Sequence, residues 1–395
     1  MRHLFVTQDY GPDLGGIARR HVELCRRFAP DEVVVSTVAS ADAAAFDRGE
    51  PYRVAREEFA FAEAKRFLNQ VRWSQSLVRQ AQPSTGLLHL GNIRPCGYAV
   101  WMAVRRLHLP YVTYVYGGDV LRELRKTQSS PLTRATARAI LGGTRGVVAI
   151  SDWTADITRT LLDRLELEAP PPVAVIPLGT DPVQFQPSND RRQLRRVWGL
   201  ADEPLLLTVA RLVPHKGQDV AIEAMARLRD EFPTLRYAIV GTGADEPRLR
   251  ALAASRGVSD RLIFAGAVTD DEIAEAYATS SVYVGLSRVH NDINAEGFGI
   301  SFVEAGASGV PSVAGDSGGV RSAVLDGETG LVVQPENVDQ VVAALRQLLG
   351  DEPRRRRMGA AARQAVIDRL NWDRVARETI AFARDVALDL PRTAS

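Results

Sequence analysis

Two successive series of short apolar segments alternating with longer helical patterns constrain this chain most. The first series has strand candidates at His3–Thr7, Glu32–Val38, Gly86–Leu90, Tyr111–Val115, Gly146–Ile150 and Val173–Ile176. Few of their positions are polar, as in parallel strands covered by helices on both faces. Alternation of this kind predicts a doubly wound α/β domain. The pattern breaks at Ala169–Pro172 and again between Pro177 and Asn189, where Pro177, Gly179, Pro182 and Pro187 punctuate the chain. A second series follows at Leu205–Ala210, Arg236–Val240, Arg261–Phe264, Val282–Gly285, Pro311–Ala314 and Gly330–Val333. Helices are expected between these strands, including Gly217–Asp230 and Ile300–Ala307, and the stretch Val338–Asp389 reads as helical, with Trp372 opening a last helix.

The expected organisation is a first Rossmann-like domain over 1–185, a second over 186–370, and a C-terminal helix over 371–395 that packs back on the first. The 395 residues are too many for one ordinary core and suit two. Ligands of such folds sit at the carboxyl ends of the strands, here in a cleft between the two halves. Net charge is only +1, so nothing in the total argues for nucleic acid, and none is expected as a partner; the first 185 residues carry +4 and the remainder −3. Two cysteines, Cys25 and Cys96, imply no disulfide framework and fit a reducing cytosol. The N-terminus reads as a strand and loop rather than a signal peptide, and no run of 18 apolar residues is present.

Three segments carry chemistry. In Glu296–Ala305, two carboxylates lie eight residues apart, Glu296 in a loop at a helix start and Glu304 about two turns in. Gly297 and Gly299 permit close backbone approach, and amides at the helix start face a ligand there. Carboxylates so placed accept hydrogen bonds from vicinal hydroxyls, as a ribose or hexose offers. The second segment, Arg211 to Gly217, follows a strand; Arg211 and Lys216 can hold a diphosphate as a leaving group gains charge. The third, Gly11 to Ile17, places Gly15 and Gly16 after the first strand, where backbone can approach a phosphate. It is not G-x-G-x-x-G and lacks a Walker lysine, which disfavours nicotinamide and ATP. The bland alternatives are a capped helix with solvated glutamates, a self-paired basic loop and a plain turn.

These segments, in this order and spacing, resemble the retaining glycosyltransferases of family four, whose GT-B fold sets two Rossmann-like domains across a cleft. Further landmarks agree: Ile150–Thr154, Pro177–Asp181, Phe264–Val268 and Ser317–Gly319. The resemblance implies transfer of a hexose from a nucleoside-diphosphate sugar, GDP- or UDP-linked, to an acceptor hydroxyl. By it, Glu304 binds the ribose, while Glu296, Gly297 and the amides of Phe298, Gly299 and Ile300 address the transferred sugar. Arg211 and Lys216 hold the diphosphate, Gly266 and Val268 lie near the base, and Gly16 near the phosphates. The first domain would bind the acceptor and the second the donor. Such enzymes use no metal and no cofactor beyond the donor. Catalysis is then electrostatic, with the leaving phosphate helping to deprotonate the acceptor.

The chain departs from the family at two loops. Tyr116 stands before Gly117, where many relatives carry histidine; tyrosine donates a hydrogen bond but does not titrate near neutrality. Tyr116 and Asp119 are the candidate acceptor-side residues, and Asp119 joins Arg211, Lys216 and Glu296 as a catalytic candidate, against the plain reading of a turn cap. Val320 and Arg321 replace the usual proline and glutamate after Gly318 and Gly319. The polar stretch Ser287–Ala295, with His290, resembles an insertion in phosphatidylinositol mannosyltransferase-like members, which use GDP-mannose. Arg122, Arg125, Lys126, Arg134 and Arg138 form the clearest basic cluster; it is either a solvated face or a contact with an anionic membrane, which would place a cytoplasmic protein at the inner membrane face. Two rivals share the fold: a nucleotide-sugar epimerase and a non-catalytic binding protein. The acceptor and the oligomeric state are not readable from these residues.

Overall fold

The structure, a computed structural model, describes residues 1–12, 15–190, 192–289 and 295–388. Two compact units divide the chain: Met1–Pro177 with the segment from Trp372 onward, and Leu178–Asn371.

The first unit runs β1 (Arg2–Val6), α1 (Gly16–Cys25), β2 (Val33–Ala39), α2 (Ala43–Gly49), β3 (Arg53–Ala60), α3 (Phe67–Gln80), β4 (Thr85–Leu90), α4 (Gly97–Leu107), β5 (Tyr111–Val115), α5 (Gly118–Ser129), α6 (Pro131–Gly142), β6 (Gly146–Ala149), α7 (Asp152–Arg164) and β7 (Val173–Val175). Its strands form one parallel sheet in the order β3-β2-β1-β4-β5-β6-β7. The interior strands are buried along almost their whole length, for example all five residues of β5. Trp73, Leu77 and Val100 cover the sheet in one core cluster, and Ala137, Leu161 and Leu162 contribute to another.

β3 is absent from the sequence expectation. It carries Arg53, Arg56, Glu57 and Glu58 and is mostly exposed or half-buried. It pairs with β2 at the sheet edge. Charged side chains on an edge strand blunt further pairing, and they also erase the apolar signature by which a buried strand is read.

The second unit contains α8 (Gln193–Val197), β8 (Leu205–Val209), α9 (Gln218–Leu228), β9 (Arg236–Val240), α10 (Glu246–Ser255), β10 (Leu262–Gly266), α11 (Asp270–Thr279), β11 (Val282–Gly285), α12 (Ile300–Ala307), β12 (Ser312–Gly315), β13 (Gly330–Val333), α13 (Val338–Gly350) and α14 (Glu352–Asp368). The sheet order, β10-β9-β8-β11-β12-β13, is again parallel throughout. This is the dinucleotide-fold order, with its reversal between β8 and β11. Two Rossmann-like domains are therefore present, as the alternation predicts.

Helix starts follow local chemistry. Ser151 accepts from the Thr154 amide at 3.1 Å to open α7, which explains the Ile150–Thr154 landmark. Thr269 and Glu272 form a capping box on α11. A final helix, α15 (Trp372–Leu388), belongs to the first unit and packs against α1 and β6. Gly146 leaves room there for the Phe382 ring, since a Cβ would lie 2.7 Å from it. Arg374 donates to the Pro177 carbonyl at 2.6 Å, and Arg27 to Asp373 at 2.6 Å.

Candidate functional site

The reversal between β8 and β11 opens a crevice at the carboxyl ends of those strands, the place where doubly wound sheets bind ligands. Arg211–Gly217 leaves β8 and enters it. Backbone crowding shapes this loop. The Leu212 amide donates to the Thr242 carbonyl at 2.9 Å, and the Asp245 amide to the Leu212 carbonyl at 3.1 Å. Gly243 lies so close that a Cβ would sit 2.1 Å from the Leu212 oxygen. Gly217 adopts φ +73° with a Cβ position 2.1 Å from the Leu286 carbonyl, so only glycine fits. Buried Gln218 donates to the Arg211 carbonyl at 3.1 Å. The Arg211 side chain is exposed and has no carboxylate partner among the described residues.

Glu296 reaches the same place from β11. Residues 290–294, including His290, lie outside the described residues. Lys216 Nζ meets Glu296 Oε2 at 2.7 Å, with both side chains about one-fifth exposed (22% and 19%). The Ser287 hydroxyl donates to the same oxygen at 3.3 Å. Burial pushes the Glu296 carboxyl up; the Lys216 ammonium and the Ser287 hydroxyl outweigh it, and the carboxyl titrates below its usual range. The Glu296 backbone is held by the Ser317–Gly319 turn. The Gly319 amide donates to its carbonyl at 2.8 Å, and Gly318 at φ +58° passes so close that a Cβ would stand 2.2 Å from that oxygen.

α12 begins at Ile300 after Gly299, which has φ +94°. Its first turn has neither a capping side chain nor an acidic residue, so the helix start can serve an anion or a sugar hydroxyl. Phe298 is buried with its ring inward, while Gly297 and Ile300 are part-exposed. Glu304 is 7% exposed and accepts from the Tyr277 hydroxyl at 2.8 Å. Gly266 ends β10 at φ +70° with open space around it, and its carbonyl accepts from the Gly241 amide at 2.8 Å; Val268 follows, part-exposed. The fold thus joins Lys216 to Glu296 directly and ties Gly266 to the turn beside the Arg211 loop.

In the first unit the reversal lies between β1 and β4. Asp13 and Leu14 lie outside the described residues. Gly15 and Gly16 are exposed at the start of α1, with nothing within 4 Å of a Cβ on either. Thr7, after β1, donates to Asn92 Oδ1 at 2.9 Å, and Asn92 donates to Asp9 Oδ2 at 2.8 Å after β4.

Tyr116 is 7% exposed, and its hydroxyl points into the domain. Arg20 Nη1 donates to it at 3.1 Å, and His21 Nε2 makes a short bond to it. His21 Nδ1 lies 2.9 Å from the Asp9 carbonyl, which can only accept, so Nδ1 carries the ring proton. Nε2 therefore accepts, and Tyr116 spends its proton on His21. Burial holds the His21 pKa down at about 3, so the ring stays neutral. Asp119 turns one oxygen back to the Tyr116 amide at 2.9 Å; its other oxygen, Oδ2, is buried without a hydrogen-bond partner. Burial raises the Asp119 carboxyl, against the pull of the Tyr116 and Val120 amides and Arg122.

The basic cluster divides. Arg134 and Arg138 donate to the Arg164 and Leu165 carbonyls at the end of α7. They cap that helix. Arg122, Arg125 and Lys126 stand exposed on α5. Sequence reasoning missed Tyr277, Ser287, Arg20, His21 and Asn92. The first four sit where a plain helix or loop residue would; Asn92 stands two residues past the end of β4, which is a usable signal.

The family model described as Glycosyltransferase Family 4 matches residues 14–184, and Glycosyl transferases group 1 matches 190–365. A GDP-mannose-dependent monoacylated alpha-(1-6)-phosphatidylinositol monomannoside mannosyltransferase of Corynebacterium glutamicum is 30% identical over 385 residues, 94% of each chain. The chain belongs to the family-four glycosyltransferases. Two GDP-mannose-dependent alpha-(1-6)-phosphatidylinositol monomannoside mannosyltransferases are also similar to this family-four chain. That of Mycolicibacterium smegmatis is 38% identical over 50% of this chain and 52% of its own length; that of Mycobacterium tuberculosis is 36% identical over 64% and 65%. The chain thus spans about half to two-thirds of these two relatives. Among solved structures, Anabaena HepE in complex with UDP superposes with a TM-score of 0.80 over 98% of this chain and all of that one, at 19% identity. Sucrose-phosphate synthase of Thermosynechococcus elongatus gives 0.76 over 98% of each chain at 21%. These likenesses show the GT-B fold.

Proposed function

We propose that the chain transfers a hexose, with retention, from a GDP- or UDP-linked sugar to a hydroxyl of an inositol-bearing acceptor. The observation that carries the reading is the Lys216–Glu296 pair at the β8/β11 reversal, 2.7 Å long and followed two turns later by Glu304. Arg211 and Lys216 take the diphosphate, Glu304 the ribose, and Glu296 with the 297–300 backbone the sugar. Gly266 and Val268 border the base. The second unit is the donor domain. The first unit is the acceptor domain.

In the reaction the bond from the anomeric carbon to the leaving phosphate oxygen breaks, and a bond to the acceptor oxygen forms on the same face. The acceptor proton passes to the leaving phosphate. Arg211 and Lys216 stabilise the charge that gathers there, which a metal ion would otherwise do. The relatives' names supply the donor and acceptor class: GDP-mannose, phosphatidylinositol mannosides and, in an enzyme of Stackebrandtia nassauensis 35% identical over 67% of this chain, D-inositol 3-phosphate. No helix among the described residues is long and apolar enough to cross a membrane. A lipid acceptor would be met peripherally at the cytoplasmic face, with exposed Arg122, Arg125 and Lys126 toward anionic headgroups.

The test is incubation of the purified protein with GDP-mannose or UDP-glucose and phosphatidylinositol or inositol phosphate, with and without EDTA. An α-linked product, read from the one-bond C1–H1 coupling at the new linkage and formed equally with EDTA, is expected. A β-linked product, or conversion of the donor sugar without transfer, would overturn the reading.

Asp119 is the acceptor-side group of the β5–α5 turn, and Tyr116 supports it from behind. Asp119→Asn is therefore expected to raise the acceptor KM by about tenfold or more. Tyr116→Phe, which removes a hydroxyl already spent on His21, should change it by less than about threefold while lowering the melting temperature. The reverse ranking would assign the contact to Tyr116.

A further inference from the structure

Glu304 does not stand alone in its pocket. Tyr277, near the end of α11, is fully buried, and its hydroxyl donates to Glu304 Oε2 at 2.8 Å. The ring is gripped from both sides. Phe185, from the segment that enters the second unit, packs edge-on at 5.7 Å. Tyr283 of β11 packs at 5.7 Å with a 48° tilt and is itself edge-on to Phe302 of α12 at 5.3 Å. Phe302 lies two residues before Glu304. Four elements thus set the position of one hydroxyl against one carboxylate.

This arrangement answers two physical needs. A carboxylate at 7% exposure has lost most of its water and requires hydrogen-bond donors from the protein. Its terminal torsion is also broad and nearly two-fold, so packing of the methylenes does not orient the oxygens. A hydroxyl whose ring is held by two aromatic neighbours supplies a charge-assisted bond to one oxygen and fixes the plane of the group. A ribose offers a vicinal pair of hydroxyls in fixed geometry, and a fixed carboxylate edge meets both without losing torsional freedom on binding.

We propose that Tyr277 is a positioning residue that orients the Glu304 carboxylate toward the ribose of the donor and so sets affinity for ribonucleotides over their deoxy analogues. The proposal rests on the reading of Glu304 as the ribose-binding carboxylate. Tyr277 acts on nucleotide affinity and leaves the transfer step of bound donor unaltered.

The test measures dissociation constants of GDP and UDP and of their 2′,3′-dideoxy forms by calorimetry, for the unaltered protein, Tyr277→Phe and Glu304→Gln, with kcat at saturating donor. Tyr277→Phe should weaken the ribonucleotides by about tenfold. It should change the dideoxy forms by less than twofold and kcat by less than about twofold. Glu304→Gln should abolish most of the ribo-over-dideoxy preference by itself. If Glu304→Gln leaves that preference intact, the ribose reading fails and the proposal with it. If Glu304→Gln removes the preference but Tyr277→Phe weakens both nucleotide classes equally, or neither, the ribose reading stands and the positioning role is overturned. Phe185→Leu loosens the Tyr277 ring without touching Glu304 and serves where Tyr277→Phe does not fold. It should lose part of the preference, and an unchanged preference in that variant counts against the proposal.

Discussion

Lys216→Met is expected to cut sugar transfer by well over tenfold, with the fold retained, and to make what remains sensitive to mild acid. Lys216 holds Glu296 ionised, and under the proposed function it also supports the leaving diphosphate. The methionine removes the ammonium and keeps the stem, so packing of the loop is preserved. A tenfold loss corresponds to about 1.4 kcal/mol of transition-state stabilisation, a modest demand on a partly buried cation facing a phosphate. The pH effect has a definite sign. Burial raises the Glu296 carboxyl, and Lys216 is the largest influence lowering it. Without Lys216 the burial remains and the carboxyl moves upward. In the unaltered protein Glu296 titrates below the ordinary glutamate value of 4.5. The stabilisation from its pairing is therefore present above that value and lost as pH falls through the lower, folded one. The variant should lose kcat/KM at a higher pH than the parent does. Glu296→Ala should also cost well over tenfold, with no comparable acid shift. Profiles of kcat/KM against pH for the three proteins check this. Near-normal transfer in both variants would remove the pair from the site.

Gly318→Ala is expected to be nearly as damaging to activity, although Gly318 is assigned no contact with substrate. The new methyl would stand 2.2 Å from the Glu296 carbonyl oxygen and 3.1 Å from its carbon, both backbone atoms that cannot rotate away. The Glu296 loop must shift, and a displacement near 1 Å at a reacting centre costs about a hundredfold in rate. A left-handed φ also penalises alanine by about 1 kcal/mol wherever it occurs. Gly327→Ala separates the two effects. Gly327 has φ +77°, with nothing within 4 Å of a Cβ, so it carries the strain without the collision. It should lower stability by a similar amount in a urea melt and leave transfer unchanged. Equal activity losses in the two variants would mean that backbone strain, not the collision with Glu296, disables the protein.

The same distinction, between what a residue does locally and what it meets in space, governs how far the chain could be read beforehand. Apolar strands were legible because burial on both faces imposes near-continuous hydrophobic runs; β3 was not, because an edge strand is released from that demand and carries Arg53, Arg56, Glu57 and Glu58 instead. Of the five residues in the basic cluster, Arg134 and Arg138 became helix caps once the fold brought α6 within reach of the end of α7.

The sequence by itself determined two parallel Rossmann-like sheets, since alternation, strand length and helix signals are local and mutually consistent. It also singled out the loops at Arg211–Gly217 and Glu296–Gly299, where glycines stand beside charged residues at strand ends. Only the tertiary structure decided the partners. Lys216 and Glu296 are 80 residues apart, Tyr277 and Glu304 are 27 apart, and Tyr116 and His21 are 95 apart. Each pair is brought together by the order in which strands enter the sheet. That order depends on which crossovers bury the most apolar surface over the whole domain, and no spacing along the chain records it.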